Sequence, residues 1–458
     1  MKIGHKINVT VASYDARGRG LAEAEVAENL VRDCVIPFTA IGDEIEATFV
    51  RRDHGFKVCK LEKILKPSND RVKTSCPHAG SCGGCIWQHL DYKAQLQEKV
   101  RGMQSVFSKI EVQDKLRDAM PALEQLQYRN RMDFAVGWNG EIGLKEYGQW
   151  NRYVDLSTCL LLQPGAGEIL QVVRDWMNIH DLQPWDVKFH SGDVRYVVIR
   201  DGISTKQRMV IVVIANAKRV DDQAKQDLID KISKLDPTPT SLLIGEQPKI
   251  ADLSYAESFS TLFGEPYITE NVNDISYKIH PNSFFQTNTK MAALLQDVVL
   301  DAVEQVGTKN LLDLYCGLGF FGIAAAKKIE SIEHVDGYEL DAEAIELATQ
   351  NAISNSVQDL CTFVAGEAEN LEWKNINADT VILDPPRSGL HPRVIKTLLS
   401  NETPLNPETI IYVSCNYKRL EHELPSFMEK YEVEFIQPLD LFPQTRHVEV
   451  VVVLSRRP

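Results

Sequence analysis

Four stretches of this 458-residue chain carry side chains whose types and spacing could do chemistry. Cys76, Cys82 and Cys85 fall within ten residues (CPHAGSCGGC), and glycines let the backbone wrap around them. Thiolates prefer a soft cation, so zinc or an iron–sulfur cluster is the physical choice, with Cys159 as the natural fourth ligand. Zinc sites favour paired C-x2-C knuckles. Only Cys82 and Cys85 form one here, which favours [4Fe-4S], a cluster that four protein thiolates leave without an open iron. Further on, the apolar run Thr409–Val413 ends in Ser414-Cys415-Asn416, and Thr380–Leu383 ends in Asp384-Pro385-Pro386-Arg387. Cysteine at the carboxyl end of a parallel strand lies where α/β active sites form. Glu449 interrupts the apolar run His447–Leu454, and an ionised carboxylate in such a strand is costly without a purpose or a partner.

These residues surround a strand–turn–helix at Leu311–Gly322 (LLDLYCGLGFFG), where Gly317, Gly319 and Gly322 satisfy G-x-G-x-x-G. Alone, the motif fits a dinucleotide or S-adenosylmethionine. His334–Glu339 reads as the next strand, and a carboxylate at its end can accept hydrogen bonds from ribose hydroxyls of either cofactor. Asp384-Pro385-Pro386 breaks the tie. It resembles segments of class I methyltransferases that set a polar group against a planar base.

The elements positioning these residues form three expected domains. Residues 1–66 hold short alternating runs at Lys6–Val11, Glu44–Val50 and Phe56–Leu65, the pattern of a five-stranded β-barrel of the OB type. Arg17, Gly18, Arg19 and Gly20 form a basic loop there that suits RNA. Residues 67–270 read as an α+β domain with the cysteine group, a helix over Asp91–Lys115, and Arg129 and Arg131 on one strand face, as phosphate grips or a surface ion pair. Residues 271–458 read as a doubly wound Rossmann-like domain. Cys34, Cys59 and Cys361 are expected in the core. Formal net charge is +3 over the first 152 residues and −17 over the rest, so a phosphate-facing part can sit beside an acidic remainder. No apolar run approaches a membrane span, and nine cysteines without a secretory leader fit a reducing cytoplasm.

Taken in order, the barrel-like start, C-x5-C-x2-C with a distant cysteine, FFQ-x-N, DLYCGLG, DPPR, SCN and HVE resemble the RNA uracil-C5 methyltransferase family along nearly the whole chain. The resemblance implies a TRAM-type RNA-binding barrel, a class I methyltransferase domain, and a [4Fe-4S] cluster on Cys76, Cys82, Cys85 and Cys159. It places Gln286, Tyr315, Glu339 and Asp384 around S-adenosylmethionine and uracil, with Glu367 near the adenine, Cys415 as nucleophile and Glu449 as general base. Phe320 stands where many relatives carry the asparagine that contacts the cofactor, and Tyr417 replaces a proline. A monomer acting on 23S ribosomal RNA is expected, with transfer RNA as the alternative substrate. Two readings of other classes are a nicotinamide oxidoreductase, which leaves DPPR and Cys415 unexplained, and a non-catalytic RNA-binding or assembly factor.

Overall fold

The computed structural model describes residues 2–27, 30–371, 376–400 and 405–458. Its first six strands are β1 (Lys6–Thr10), β2 (Ser13–Tyr14), β3 (Gly20–Ala27), β4 (Leu30–Ile36), β5 (Glu44–Asp53) and β6 (Phe56–Lys66), ordered β1-β5-β6-β4-β3-β2. β1 pairs with β5, β2 pairs with β3, and the intervening Ala12 N–H donates to Leu21 O at 2.9 Å. One bent strand therefore closes the sheet at both ends into a barrel, which removes its open edges. Cys34 and Cys59 lie in the barrel core with Ile7, Ile45 and Ala47. Cys361, by contrast, is half-buried at the start of a later strand.

Helix α1 (Tyr92–Phe107) starts at Asp91, whose carboxylate accepts the Lys93 N–H. It ends eight residues before Lys115 because the chain tightens into short 3₁₀ turns and Glu111 adopts a left-handed φ of 59°. The middle sheet comprises β7 (Arg131–Val136), β8 (Ile142–Lys145), β9 (Tyr153–Asp155), β10 (Val194–Gly202), β11 (Gln207–Ile214), β12 (Ser241–Glu246) and β13 (Ser258–Phe263), ordered β13-β12-β11-β10-β7-β8-β9. Apolar residues fill both faces of β10 and β11. Val197, Ile199, Val210 and Val212 meet α2 (Ala166–Ile179) and α3 (Asp222–Ile232). Val198, Met209, Ile211 and Val213 instead join a core containing the hairpin β14 (Ile268–Val272)–β15 (Ile275–Ile279) and α4 (Thr289–Gln305). The expected boundary at 270 thus falls inside β14, because one continuous core spans it.

The last sheet holds β16 (Asn310–Leu314), β17 (His334–Glu339), β18 (Cys361–Ala365), β19 (Thr380–Leu383), β20 (Thr409–Ser414), β21 (Tyr431–Leu439) and β22 (Glu449–Arg456), with α5 (Gly322–Lys328), α6 (Ala342–Ser354), α7 (Pro392–Leu398) and α8 (Tyr417–Met428) between them. Its order is β18-β17-β16-β19-β20-β22-β21, parallel through β20, with β22 antiparallel to both neighbours. Strand order reverses between β16 and β19, so the ligand crevice opens at the carboxyl ends of those strands. Among the described residues no helix is long and apolar enough to cross a membrane.

α1 belongs to this last unit by packing, since Met103, Val106 and Phe107 share a core with Leu312, Leu314 and Ile436. The fully buried Lys99 Nζ donates to Asp440 Oδ1 at 2.6 Å and to Phe442 O at 3.1 Å, and Tyr92 O–H donates to Asp440 Oδ2 at 3.1 Å. This anchors the segment between β21 and β22. Lys99→Met would leave Asp440 buried without its cation, and the expected loss of stability is about 3–5 kcal/mol. A urea titration read by tryptophan fluorescence measures it, and an unchanged midpoint would contradict this role.

Candidate active site and cysteine pocket

After β16 the backbone turns through three left-handed residues, Tyr315 (φ 65°), Gly317 (φ 51°) and Gly319 (φ 77°). Asp313 Oδ2 accepts the Gly322 N–H at 2.9 Å and closes the turn. A side chain at Gly317 would project into open space, so the glycine turn forms the floor of an open crevice. Glu339, at the end of β17, accepts N–H groups of Gly317 (3.3 Å) and Asp341 (3.1 Å), which fixes its carboxylate beside that floor. Such a cradle with a carboxylate at its rim fits a nucleoside-bearing cofactor such as S-adenosylmethionine.

Asp384 follows β19 directly across the switch point, and Gln286 Nε2 reaches its Oδ2 at 3.5 Å. Burial, reinforced by Asp313 and Glu339, pushes the Asp384 carboxyl up to about 8. Cys415 follows β20. Because β22 runs antiparallel, with Ser414 opposite Val450, its first residue, Glu449, comes to the same edge. Glu449 is buried, and burial plus the neighbouring Asp384 hold its carboxyl well above the usual range. Burial, then Glu449 and Asp384, push the Cys415 thiol up to about 11, against a lowering by Arg387. A thiol and two carboxyls, each destabilised as an anion, thus share one strand edge.

Other expected contacts are placed differently. Phe320 turns its ring into an aromatic cluster with Tyr277, Phe285 and Phe321, while its carbonyl accepts the Tyr277 hydroxyl at 2.9 Å. It forms a wall behind the crevice. Tyr315 is half-buried, its hydroxyl pushed up to about 12 chiefly by burial. Glu367 is exposed past the end of β18 and pairs with the Asn370 side chain. Arg131 does not face a free phosphate site, because Asp133 holds it at 2.8 Å. Arg129 Nε donates to Arg131 O at 3.1 Å, and its charge bears on Cys85 and Cys159. The basic loop of the barrel is also committed internally. Arg17 pairs with Asp53, and the buried Arg19 pairs with Asp15 and Asp53. Its carbonyls face the rest of the protein instead, with Gly18 O accepting Trp87 Nε1–H at 2.8 Å.

Cys76, Cys82, Cys85 and Cys159 line one cavity with Leu144 and Leu161. Gly83 and Gly84 let the cysteine loop lie against β8, since a Cβ at either would meet Lys145 O or Leu144 at about 3 Å. Among the described residues no three His, Cys, Asp or Glu side chains are grouped to hold a single metal ion. A cluster makes a different demand, since each thiolate binds a separate iron. Burial raises Cys82, Cys85 and Cys159, and their neighbouring thiols raise each further. Four thiolates cannot gather here without cationic charge among them, so the donor set and the apolar cavity fit such a group.

Asn130, between the two arginines and not singled out by the sequence, links the two sites. Its Nδ2 donates to Gln286 O (2.8 Å) and Thr289 Oγ1 (3.0 Å), while Gln127 and Arg129 N–H groups donate to Leu160 and Leu161 carbonyls beside Cys159.

The sequence profile of tRNA (Uracil-5-)-methyltransferases matches residues 196–457. The chain belongs to that family of RNA uracil-C5 methyltransferases. It is 34% identical over 427 residues to the tRNA (uracil(54)-C(5))-methyltransferase of Pyrococcus furiosus, covering 93% of this chain and 96% of that protein. Identity to the Pyrococcus horikoshii enzyme of the same name is 36% over 423 residues, covering 92% and 95%. The crystal structure of the Pyrococcus abyssi tRNA (uracil-54, C5)-methyltransferase with S-adenosyl-L-homocysteine superposes with a TM-score of 0.80 at 30% identity, over 98% of this chain and 99% of that one. The activity of this chain is thus S-adenosylmethionine-dependent methylation of uracil C5 in RNA.

With its thiol at about 11, Cys415 in the free protein should react as a thiolate about tenfold faster per pH unit from 7 to 9. Peptide-resolved iodoacetamide labelling measures this, and Glu449→Gln, which removes one of the two carboxyls that raise the thiol, should speed it. A plateau below pH 8 would contradict the geometry.

Proposed function

We propose that this protein methylates C5 of a uridine in transfer RNA, with Cys415 as nucleophile and Glu449 as base. The observation that carries the reading is the convergence of Cys415, Asp384 and Glu449 at one strand edge beside the glycine turn. Transfer RNA replaces the 23S ribosomal RNA expected from sequence, because the named relatives are tRNA enzymes for position 54. The position modified here is proposed to be the same.

Uracil C5 is too weak a nucleophile to take a methyl group unaided. Cys415, losing its proton as it attacks, bonds to C6 and sends the ring electrons to C5 and O4. Bound S-adenosylmethionine supplies an electrophilic methyl to that carbon. Asp384, kept mainly protonated at neutrality by its burial, donates its O–H to O4 and accepts the N3–H on its other oxygen, and Gln286 fixes the Asp384 carboxyl. Glu449 then takes the proton from C5. The released electron pair re-forms C5=C6, the C6–S bond breaks, and Cys415 leaves as thiolate. Glu339 and Tyr315 are assigned to the cofactor, with Glu367 at its outer edge. The barrel is proposed as a TRAM-type RNA-binding module. The four-cysteine pocket is proposed to hold a [4Fe-4S] cluster with a structural role, since Leu160 and Leu161, which follow Cys159, brace the segment leading to Asn130.

Incubating unmodified transfer and ribosomal RNA separately with the protein and methyl-labelled S-adenosylmethionine tests the substrate. Label should enter 5-methyluridine in transfer RNA, and label confined to ribosomal RNA would overturn that choice. Cys415→Ala should abolish turnover while retaining cofactor binding, and Glu449→Gln should accumulate a covalent protein–RNA adduct visible by denaturing electrophoresis. Anaerobically reconstituted protein should bind about four irons and four sulfides per chain, as a [4Fe-4S] centre requires. Cys85→Ser should lose them.

A further inference from the structure

Cys415 opens into a cavity of about 320 Å³ whose rim is strongly cationic. Three elements supply that rim: Arg387 from the loop after β19, Lys418 from the start of α8, and Arg446 from the segment before β22. Lys418 Nζ donates to Ala16 O at 3.0 Å, and an Arg446 Nη donates to the same oxygen at 2.5 Å. Two cationic groups therefore converge on one neutral carbonyl of the barrel loop. Arg387 Nη instead contacts the His447 ring at 2.9 Å. Among the described residues none of the three cations forms a salt bridge. Both arginines of the barrel loop, Arg17 and Arg19, are by contrast ion-paired.

Crowding of like charges opposes folding, and each cation here senses the others. Burial and then Arg387 lower the Arg446 guanidinium, while burial and then Arg446 lower the Lys418 ammonium; Asp15 opposes both effects without forming an ion pair with either. Burial, followed by Arg387, Arg446, Lys99 and Lys418, pushes His447 down to about 3, so it stays neutral and can accept from Arg387. A fold that tolerates three unpaired cations around one mouth is short of an anion there.

We propose that Arg387, Lys418 and Arg446 form a phosphodiester clamp for the RNA substrate, gripping the backbone of the uridine whose base enters the cavity beside Cys415. The proposal rests on the assignment of Cys415 as the reacting residue. A base drawn from its stack brings its own phosphates to the mouth of the pocket, where planar Arg groups and a Lys point charge can receive them. Ala16 O holds Lys418 and Arg446 together before RNA arrives. The barrel loop thereby organises the clamp through a carbonyl, while its own arginines remain tied to aspartates.

Arg446→Gln and Lys418→Gln test this by fluorescence anisotropy of an unmodified transfer RNA with S-adenosylhomocysteine present, across a series of potassium chloride concentrations. Lys231→Gln, in α3 and paired with Asp227, is the control. Each clamp variant should reduce the slope of log K against log salt by about 0.7 and weaken low-salt binding about tenfold, with the control unchanged. Affinity for S-adenosylhomocysteine and the melting temperature should stay at wild-type values, which separates a lost phosphate contact from misfolding. Unchanged slopes and affinities in both variants overturn the clamp, as does wild-type binding without salt dependence. If the slopes fall but no 5-methyluridine is ever formed, the clamp stands and the assignment of Cys415 fails instead.

Discussion

A single reversed strand constrains the chemistry more than any motif does, because β22 enters the C-terminal sheet antiparallel to β20 and β21. In a fully parallel sheet the start of that strand would lie at the opposite edge from the ligand crevice. Reversal brings Glu449 beside Cys415, in surroundings where neither group ionises easily. An apolar setting that opposes charge would suit the roles proposed for them, a base that acts late and a thiol that attacks only when a ring is present to take its electrons. The same desolvation acts on Asp384, so the three groups share a common electrostatic environment.

Holding the start of β22 in place falls to elements far away in sequence. Lys99 and Tyr92 of α1 fasten Asp440, and Gln95 Nε2 bonds Gln444 Oε1 at 3.0 Å. Tyr128 O–H donates to Pro443 O at 3.1 Å, and Asn288 Nδ2 to Leu441 O at 3.0 Å. The segment that delivers Arg446, His447 and Glu449 is thus gripped by α1, by Tyr128 ahead of β7 and by the loop that carries Gln286. These contacts give the cysteine pocket a physical route to the geometry of Cys415 and Glu449.

The N-terminal barrel presents a similar lesson about charge. Its glycine- and arginine-rich loop has the composition of an RNA contact, yet Asp15 and Asp53 absorb both guanidinium groups. Loop carbonyls meet Trp87, Lys418 and Arg446 instead. Tyr417 packs its hydroxyl into the space left by Gly102 of α1, which braces the residue next to Lys418.

Motifs that are local in the chain were legible from sequence alone: the strand ending in Asp384, the strand ending in Cys415, the glycine turn, and the grouped cysteines. Each depends on a short apolar run followed by residues with a narrow conformational or chemical role, and such signals need no distant partner. Glu449 was visible as a carboxylate out of place, and the barrel as a run of short alternating strands. Tertiary structure alone decided which charges were paired, because Arg17, Arg19 and Arg131 differ from Lys418 and Arg446 only in whether an aspartate comes within ion-pair distance. It also decided that α1 and β14 pack across the expected boundaries, since apolar faces record only that they must be covered and carry no mark of what covers them.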